Sequence, residues 1–426
     1  MLPYTAPRGT LDVLPEDQPY WRYVVHRAHD IARLYGFQQI ATPIFETSEL
    51  FVRGVGEGTD IVDKEIYRFQ DKGGDDLALR PEFTAGIVRA YIQHGMHTLP
   101  RPVKLYAIGP IFRYERPQAG RYRQHTQFNV EALGEQDPAV DAEVMEVARH
   151  LYADLGFGNL SFQINSTGCP ACKPGYVSVL RSFYHKLVDG HEDAICEDCR
   201  RRLERNPLRV LDCQVDRCQP LIAAAPHLAA HLCAGCAAHF DLLQGYLRAL
   251  GRPFTINHRL VRGLDYYTKT VFEVWAEGIG AQAAVCGGGR YDGLIELLGG
   301  ASTPGVGFGS GIERIILTMK AQGVPVPALP GPQVLIAPLG GEAKAMAVRA
   351  VADLRAEGIA AVIAFGDRSL KSQLREAGRQ SVRYAVIMGE EEVRGGQTIV
   401  RDMRGHHQAT VEMAGLVAWL RGNLAT

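Results

Sequence analysis

Residues 112–131 read F-R-Y-E-R-P-Q-A-G-R-Y-R-Q-H-T-Q-F-N-V-E. Alternation of apolar and polar residues predicts one strand over residues 104–115 and a second over residues 126–133. The connection between them is basic, with four arginines at or beside it: Arg113, Arg116, Arg121 and Arg123. Because the planar guanidinium group matches phosphate oxygens, this loop favours a polyanion-binding role. A hairpin that is charged only for solubility is the alternative.

The second strand is predicted to have one apolar and one polar face. Successive side chains of a strand point to opposite sides of the sheet, which places Phe128, Val130 and Ala132 together. The opposite face carries three polar residues: Gln127, Asn129 and Glu131. A strand rarely needs amides and a carboxylate at mid-length for structure alone. This face is therefore predicted to contact a small polar molecule.

Three motifs carry a family resemblance. Residues 112–115 read F-R-Y-E and, with the basic loop, resemble the second signature motif of class II aminoacyl-tRNA synthetases. Residues 261–272 read V-R-G-L-D-Y-Y-T-K-T-V-F, which resembles a signature of the histidyl-tRNA synthetases in particular. Residues 305–314 read G-V-G-F-G-S-G-I-E-R and resemble the third class II motif. The three motifs occur in the family's order, and the resemblance extends over nearly the whole chain.

The resemblance implies an α+β fold with three parts: a class II synthetase catalytic core with an antiparallel sheet, a helical insertion domain, and a C-terminal α/β anticodon-binding domain. A length of 426 residues also favours two to four domains. The predicted boundaries are 1–167 and 254–323 for the two parts of the core, 168–253 for the insertion domain, 324–332 for a Pro-rich linker and 333–426 for the anticodon-binding domain.

Composition bears on the cellular setting. The net charge is −1 and the pI is about 6.9, which argues against non-specific polyanion binding but leaves room for local basic surfaces. No apolar run approaches the roughly 18 residues of a membrane span, and the N-terminus lacks a signal-peptide pattern. We therefore expect a cytoplasmic protein with no membrane partner, whose nine cysteines are reduced thiols or metal ligands.

The N-terminal segment is predicted to form a helix over residues 18–35 and a strand over residues 37–42. Helix, strand and Pro43 resemble the first class II motif, which in the family forms the interface of a homodimer. An amphipathic helix that covers its own core is the alternative, and periodicity does not separate the two.

Residues 77–90 read L-A-L-R-P-E-F-T-A-G-I-V-R-A and predict a strand end followed by a helix with Pro81 in its first turn. Glu82 and Thr84 then lie near the helix start, where capping and first-turn charge are the ordinary explanation. In the family, the matching glutamate and threonine hold the amino group of histidine.

Residues 266–273 are aromatic and β-branched and predict a strand. Neighbouring side chains of a strand face opposite ways, so we expect only one of Tyr266 and Tyr267 to point into a pocket. Arg262 precedes a glycine in a tight connection, where a long cation can reach over a site.

Four alternate glycines at residues 305–311 invite comparison with a dinucleotide fingerprint. Their spacing lacks the two-residue gap before the last glycine, and no βαβ unit surrounds them. A Rossmann enzyme is therefore excluded, and a helix is predicted to follow from Ile312.

Eight of the cysteines fall in the predicted insertion domain as close pairs. Pairs of thiolates on two loops can close a tetrahedral zinc site, and a site made only of cysteines has a structural role. The first candidate zinc ligands are Cys169, Cys172, Cys196 and Cys199, and the further candidates are Cys213, Cys218, Cys233 and Cys236. Buried small apolar residues are the alternative. Many members of the family lack these cysteines, so zinc does not follow from the resemblance, and the number of ions stays open.

The C-terminal region alternates strands and helices. Strands are predicted at 334–338, 359–365, 384–388 and 398–402, and helices at 342–357, 369–377 and 411–421. Such alternation implies a small, mainly parallel sheet. The region resembles the anticodon-binding domain of several class II synthetases, although a bare α/β module could equally bind a nucleotide or a protein.

The resemblance implies a two-step reaction. The carboxylate of L-histidine attacks the α-phosphorus of ATP and releases pyrophosphate, and a terminal ribose hydroxyl of the tRNA then takes the histidyl group. Arg113 and Arg262 are the predicted catalytic residues, because preorganised cations stabilise the charge at the α-phosphate. Mg²⁺ is expected to assist by bridging phosphate oxygens.

Residues are assigned to both small substrates. The histidine-binding residues are Glu82, Thr84, Arg113, Gln127, Glu131, Arg262, Tyr266, Tyr267 and Tyr291. The ATP-binding residues are Arg113, Glu115, Arg121, Arg123 and Arg314, where the sequence does not decide whether Arg121 or Arg123 contacts ATP rather than tRNA. Glu131 is expected to accept one imidazole N–H and Tyr267 to serve the other nitrogen, because specificity requires partners for both.

Two other functions stay under consideration. A regulatory protein of histidine biosynthesis resembles this core and binds a ligand without aminoacylating, but such paralogues generally lack the C-terminal domain and depart from the signature around Arg262. A class II synthetase for another amino acid conflicts with the R-G-L-D-Y-Y run at residues 262–267.

Overall fold

A computed structural model of the chain describes residues 4–56, 59–118, 120–158, 160–188, 194–276 and 284–424. The backbone forms two compact units, Met1–Pro327 and Ala328–Thr426. The division falls inside the predicted linker, residues 324–332. The predicted α+β class is confirmed, because antiparallel sheets and helices make up the first unit and a smaller α/β sheet the second.

Strands and helices are numbered along the chain. The strands of the first unit are β1 Gln38–Gln39, β2 Phe45–Thr47, β3 Arg68–Gln70, β4 Asp76–Leu79, β5 Val103–Phe112, β6 Gln124–Leu133, β7 Leu160–Ser166, β8 Thr255–Ile256, β9 Thr268–Ala276, β10 Ala284–Arg290 and β11 Gly305–Gly311. Its helices are α1 Gln18–Leu34, α2 Ser48–Val55, α3 Thr84–Gln93, α4 Pro138–Asp154, α5 Lys173–Val188, α6 Glu197–Arg205, α7 Gln219–Ala223, α8 Ala234–Ala249, α9 Leu294–Leu297 and α10 Ile312–Ala321. Among the helices of the described segments, none combines the length and apolar character that crossing a membrane requires.

One large sheet dominates the first unit. Within the described residues its strand order is β1-β5-β6-β11-β10-β9-β7-β8. The strands from β5 to β7 in this order pair antiparallel, whereas β1 and β8 add parallel pairs at the two edges. Strands β2, β4 and β3 form a second, smaller antiparallel sheet.

The two predicted faces of β6 are confirmed. Phe128, Val130 and Ala132 are buried in the main hydrophobic core, together with apolar residues of α1, α4 and α10. Burial of such apolar surface supplies most of the driving force for folding, so this face fixes the position of the strand. The opposite face of β6 is thereby turned towards the polar residues of the site.

Three strands are shorter than the sequence predicts, one of them in the second unit, where the predicted strand 359–365 is reduced to Ala361–Ile363. The predicted strand 37–42 is reduced to Gln38–Gln39, which pairs only with Leu105 and Tyr106 of β5. The predicted strand 104–115 ends at Phe112, where the basic loop begins. The last of these strands ends where its pairing with β6 begins, at Phe112 and Gln124, and residue pattern alone does not contain that information.

The predicted insertion domain, 168–253, includes a helix that belongs to the core. Helices α5 to α7 and their loops have a hydrophobic cluster of their own. Helix α8 instead places Phe240, Leu243 and Leu247 in the main core. His239 of α8 also lies 3.2 Å, Nε2 to Oγ1, from Thr270 of β9. The compact insertion therefore ends before α8. The sequence did not show this, because apolar periodicity predicts a helix but does not say which part of the protein covers it.

The second unit is a five-stranded sheet with helices, within the residues the structure describes. Its elements are β12 Val334–Pro338, α11 Gly341–Ala356, β13 Ala361–Ile363, α12 Leu370–Arg379, β14 Tyr384–Met388, α13 Glu390–Arg394, β15 Gln397–Asp402, β16 Gln408–Glu412 and α14 Leu416–Leu424. The strand order is β13-β12-β14-β15-β16, with β12 parallel to both of its neighbours and β15 antiparallel to both of its own.

Two predictions for the second unit are wrong. The sheet is mixed rather than mainly parallel, because β15 and β16 form a hairpin. The predicted helix 411–421 begins only at Leu416, since Val411 pairs with Thr398 in that hairpin. The turn is stabilised by the Asp402 carboxylate, which accepts hydrogen bonds from two backbone N–H groups at 2.7 and 3.0 Å.

Candidate active site

A cavity of about 290 Å³ lies against strands β6, β9, β10 and β11. Most of the predicted substrate-binding residues line it: Glu82, Thr84, Arg113, Glu115, Arg121, Gln127, Arg262, Tyr266, Tyr267, Tyr291 and Arg314. Two predicted residues, Glu131 and Arg123, are not among its lining residues. The residues that the sequence assigned to one site, although up to 232 positions apart in the chain, are thus largely brought together.

The alternate glycines of β11 make room for polar side chains. A Cβ atom at Gly307 would lie 1.8 Å from Glu131 Oε2, and one at Gly309 would lie 2.4 Å from Gln127 Nε2. Both distances are far inside van der Waals contact, so only glycine allows these side chains to lie across the strand. The sequence excluded a dinucleotide motif here but did not reveal this function of the glycines.

Glu82 caps helix α3 and borders the cavity. Its carboxylate accepts hydrogen bonds from the backbone N–H groups of Thr84 and Ala85, both at 2.7 Å. Helix capping, the ordinary explanation of this residue, is therefore observed. Burial raises the pKa of Glu82, while the hydrogen bonds from Ala85 and Thr84 oppose the shift. The carboxyl group is held in place by the helix whose start it caps.

Glu131 lies against Gly307, which lines the cavity, and is itself 1% exposed. Its carboxylate accepts a hydrogen bond from the Thr84 hydroxyl at 2.6 Å and another from the Tyr291 hydroxyl. Burial raises the pKa of Glu131 to about 8, the two hydroxyl donors oppose the shift, and nearby Glu82 adds to it. Two neighbouring buried carboxyls thus give this end of the cavity an affinity for protons and other cations.

Arg262 lies just before β9 and pairs with Glu273 on that strand. Its guanidinium group is 5.8 Å from the centroid of the Tyr267 ring. A Cβ atom at Gly287 of β10 would lie 2.3 Å from Arg262 Nη2, so the glycine leaves room for the guanidinium group. The arginine is therefore held over the sheet by a carboxylate on one side and a bare backbone on the other.

The prediction that only one of Tyr266 and Tyr267 reaches the pocket is wrong. Both tyrosines line the cavity, and their ring centroids are 4.7 Å apart. Strand β9 begins only at Thr268, so the alternation of a strand does not apply to the two residues before it. The Tyr266 hydroxyl lies 3.5 Å from Glu82 Oε2, which joins it to the acidic end of the cavity.

Three arginines line the other end of the cavity. Arg113 Nε donates to the Pro81 carbonyl at 2.8 Å. Arg121 Nε lies 3.5 Å from a carboxylate oxygen of Glu115, and Arg314 donates to a backbone carbonyl of the basic loop at 3.2 Å. Each guanidinium group carries five N–H donors, so these contacts leave donors for an anion. Positive charge therefore accumulates where β6, the loop and α10 meet.

The structure separates Arg121 from Arg123. Arg121 lines the cavity, whereas the Arg123 guanidinium group stacks on the Tyr114 ring at 3.7 Å from its centroid. Arg123 Nε also lies 3.4 Å from the Glu115 carbonyl. These contacts hold Arg123 on the loop and away from the cavity.

Two carboxyl groups and one imidazole line the cavity without having been predicted to bind a substrate. Glu273 and His125 had no assigned role, and Glu313 was placed only on the first turn of its helix. Glu313 accepts the backbone N–H of Thr126 at 2.7 and 3.0 Å, and burial raises its pKa to about 7. Burial, with a smaller effect of Arg113, lowers the pKa of His125 to about 3. For Glu273 the available signal was a carboxylate within the apolar and aromatic run of residues 271–276.

The cysteines of the insertion form two clusters, and the predicted grouping is wrong. Cys169 and Cys172 meet Cys233 and Cys236, whereas the other cluster joins four buried residues: Cys196, Cys199, Cys213 and Cys218. Sequence spacing identifies pairs that start from nearby turns, but it does not show which pairs meet in space. Either cluster offers four sulfur ligands to a metal ion.

Comparison with known proteins adds an independent line of observation. A family model described as histidyl-tRNA synthetase matches residues 9–169 and 205–315, and one described as an anticodon binding domain matches residues 333–423. The gap in the first match lies within the cysteine-rich insertion.

Relatives match over almost the full length. A histidine–tRNA ligase of Dehalococcoides mccartyi is 51% identical over 98% of this chain and 99% of its own. One of Desulforamulus reducens is 49% identical over 98% of this chain and 99% of its own. The crystal structure of an apo histidyl-tRNA synthetase of S. aureus superimposes with a TM-score of 0.81 at 36% identity, covering 98% of this chain and 99% of that one.

Proposed function

This chain belongs to the histidyl-tRNA synthetase family, and we propose that it attaches histidine to its tRNA through a histidyl-adenylate formed in the cavity against β6, β9, β10 and β11. ATP supplies the energy of this reaction. One observation carries the proposal: a single cavity has buried carboxyls and tyrosines at one end and arginines at the other. An amino acid and a polyphosphate require these two unlike surroundings.

The acidic end fits the histidine side. Glu82 and Thr84 would hold the ammonium group, with Gln127 beside them. Glu131 would accept an imidazole N–H, since its hydrogen bonds from Thr84 and Tyr291 leave lone pairs on both oxygens. Tyr266 and Tyr267 would close the pocket, with the Tyr267 hydroxyl serving the second imidazole nitrogen.

The arginine end fits the phosphates. Arg262 and Arg113 would neutralise the histidine carboxylate and the α-phosphate as they approach each other, which lowers the barrier to attack. Arg121 and Arg314 would hold the outer phosphates and the adenine, and Glu115 would orient Arg121. Arg123, stacked on Tyr114, would stay outside the nucleotide site and remain available to tRNA.

Mg²⁺ accompanies ATP in this proposal. The cavity offers carboxylate oxygens of Glu115, Glu273 and Glu313, which are the ligand type that Mg²⁺ prefers. When bound, the ion neutralises phosphate charge and helps pyrophosphate to leave.

The experiment that tests the proposal is ATP–pyrophosphate exchange with each of the twenty amino acids. Exchange with histidine alone is expected. Exchange with none of them, alongside tight histidine binding, would instead indicate the regulatory role. No specific observation favours that role, since the relatives at about half identity are named histidine–tRNA ligases.

We propose that the second unit and the insertion bind the tRNA. The second unit is compact, so a chain without residues 333–426 is expected to keep pyrophosphate exchange and to lose most tRNA charging. Transfer of histidine from chemically supplied histidyl-adenylate to tRNA, with release of AMP, provides a second readout. Unchanged charging kinetics after truncation would remove the second unit from tRNA recognition.

We also propose a homodimer and a cytoplasmic location. The segment that resembles the first class II motif is followed by Ile44 and Phe45, which are 44% and 52% exposed. Apolar side chains at this exposure are suited to a partner subunit. Light scattering of the purified protein gives the mass directly. A cytoplasmic location follows from the need for tRNA and ATP.

The compact insertion, finally, is proposed to hold zinc in a structural role. Its support is the two clusters of four cysteines, which contain sulfur and no other ligand type.

A further inference from the structure

We propose that the chain holds two separate tetrathiolate zinc sites and that one of them positions the Tyr266–Tyr267 segment of the active site. The base site consists of Cys169, Cys172, Cys233 and Cys236. The inner site consists of Cys196, Cys199, Cys213 and Cys218. In each, the four Sγ atoms lie within 4.8 Å of one another.

The distances between sulfur atoms match tetrahedral zinc. In the base site, Cys169 Sγ lies 3.8 Å from the Sγ atoms of both Cys172 and Cys233. In the inner site, Cys196 and Cys213 are also 3.8 Å apart. Zinc–sulfur bonds of about 2.3 Å at tetrahedral angles separate neighbouring sulfurs by about 3.8 Å. A disulfide would bring them to about 2 Å.

Backbone donors prepare the sulfurs for negative charge. Cys172 Sγ accepts the N–H of Cys169 at 3.3 Å in the base site. In the inner site, Cys196 Sγ accepts the N–H of Cys199 at 3.4 Å, and Cys218 Sγ accepts that of Cys196 at 3.2 Å. Hydrogen bonds to a thiolate favour its charged form, which is the form that binds a metal.

The inner site lies in the insertion's own core. Its four cysteines are buried in the cluster that contains Tyr176, Leu180 and Ile222. This core is small, and the pieces of chain that meet there are short, among them α6 with nine residues and α7 with five. A metal that ties these pieces together supplies folding free energy that so small a core lacks.

The base site lies where the chain enters and leaves the insertion. Cys169 and Cys172 follow β7 of the large sheet, whereas Cys233 and Cys236 begin α8, which packs in the main core. One ion held by both pairs would therefore join the segment that enters the insertion to the segment that leaves it. The inner site does not join these two segments, since all four of its ligands lie between Cys172 and Cys233 in the sequence.

The base site also reaches the active-site segment. Lys173, next to Cys172, donates from Nζ to the Tyr267 carbonyl at 3.3 Å and lies 3.5 Å from the Asp265 carbonyl. The Lys269 N–H donates to the Gly168 carbonyl at 2.7 Å. These bonds hold the backbone on both sides of Tyr266 and Tyr267. Loss of the base ion is expected to release that segment, a consequence that rests on the proposed function of the cavity.

Zinc content of the full-length protein, measured by elemental analysis after desalting, tests the pairing. Two zinc ions per chain are expected in the unmodified protein, and one in each of two double variants, Cys233→Ser/Cys236→Ser and Cys196→Ser/Cys199→Ser. Cys286→Ser, outside both clusters, should retain two. Zinc-free folded protein overturns the proposal. The proposal would also be overturned if Cys233→Ser/Cys236→Ser still bound two zinc ions, because the base site would then not need these two residues.

The conservative variant Cys236→His keeps four ligands and should retain two ions, which guards against loss of zinc through misfolding. Absorption of the cobalt-substituted protein should report tetrahedral thiolate coordination at both sites.

Histidine binding to the same proteins tests the coupling. Lys173→Met should retain both zinc ions and weaken histidine binding about fivefold, as loss of one hydrogen bond predicts. Cys233→Ser/Cys236→Ser should weaken it at least as much, and the inner-site variant should bind normally. If Lys173→Met and the base-site variant both bound histidine normally, the base site would not position the Tyr266–Tyr267 segment. The separate claim of two zinc ions per chain would still stand. Failure of the unmodified protein to bind histidine would instead contradict the proposed function.

Discussion

The two ends of the cavity are built in opposite ways. At the acidic end, Glu131 receives hydrogen bonds from two side chains and lies in contact with a bare glycine strand, so its position is determined from several sides. At the arginine end, Arg121 has one carboxylate neighbour at 3.5 Å and is 48% exposed. The first arrangement suits a small ligand that must be distinguished from others. The second suits a flexible, highly charged ligand that needs neutralising.

Arg262 lines the cavity beside Tyr267 and is proposed to act at the reacting atoms, so its loss should have the largest effect. Arg262→Ala is expected to reduce ATP–pyrophosphate exchange by a factor of about 100 or more, because a preorganised cation at the reacting centre is removed. Arg259→Ala is the matched control, since Arg259 lies on the same segment, contacts Gln219 and does not line the cavity. Near-normal exchange by the Arg262 variant, with exchange by the control intact, would remove Arg262 from the reaction.

At a pH above about 8, where Glu131 is ionised, Glu131→Gln should weaken histidine binding by about 30-fold, equivalent to about 2 kcal/mol for a charge-assisted hydrogen bond in a closed pocket. ATP binding should change little, because Glu131 belongs to the acidic end. The exposed Glu296 provides the control Glu296→Gln, which should bind both ligands normally. Equal losses for histidine and ATP would mean that Glu131 acts only in holding the fold.

Gly307→Ala tests whether the position of the Glu131 carboxylate matters for histidine binding when the carboxylate itself is kept. The new methyl group would lie 1.8 Å from Glu131 Oε2 and 2.3 Å from the Val130 carbonyl oxygen, so it would displace both the carboxylate and the neighbouring backbone of β6 without altering any polar group. Histidine affinity is expected to fall about tenfold, within the usual range for overpacking of a buried site. Gly311→Ala is the control, since the nearest atom to its Cβ is 3.8 Å away. If both variants bound histidine alike, the glycine would not be what positions Glu131.

The smallest effect is expected at the exposed arginines. Arg121→Ala should raise the KM for ATP about fivefold, because a half-exposed cation is screened by solvent. Arg123→Ala should leave the KM for ATP unchanged, as its guanidinium group stacks on Tyr114. Kinetics of pyrophosphate exchange with varied ATP measure both. If Arg123→Ala raised the KM for ATP and Arg121→Ala did not, Arg123 rather than Arg121 would be the residue that contacts ATP.

Much of the acidic end could be predicted because a strand that is buried on its apolar face alternates apolar and polar residues in the sequence. On β6, period-two alternation separated Phe128 and Val130 from Glu131, and the structure confirms the two faces. The glycines of β11 carried no comparable signal. Their function depends on which side chains of the neighbouring strand cross them, and that register is a long-range property.

The failures of prediction have the same physical origin. Tyr266 and Tyr267 were placed on a strand that begins at Thr268, which pairs with Arg290 of β10 across a register shift. The cysteines were paired by proximity in sequence, whereas Cys169 meets Cys233, 64 residues away. Helix α8 was assigned to the insertion although its apolar residues belong to the main core. In each case the outcome depends on a distant partner that local pattern does not specify.

The central claim is that one cavity binds histidine at its acidic end and ATP at its arginine end. Calorimetric titration of histidine and of ATP, each into the unmodified protein, Glu131→Gln and Arg121→Ala, tests it most directly. The account predicts a crossed result: Glu131→Gln loses histidine affinity and keeps that for ATP, whereas Arg121→Ala does the opposite. Parallel losses of both ligands in both variants would contradict the division of the cavity into two ends.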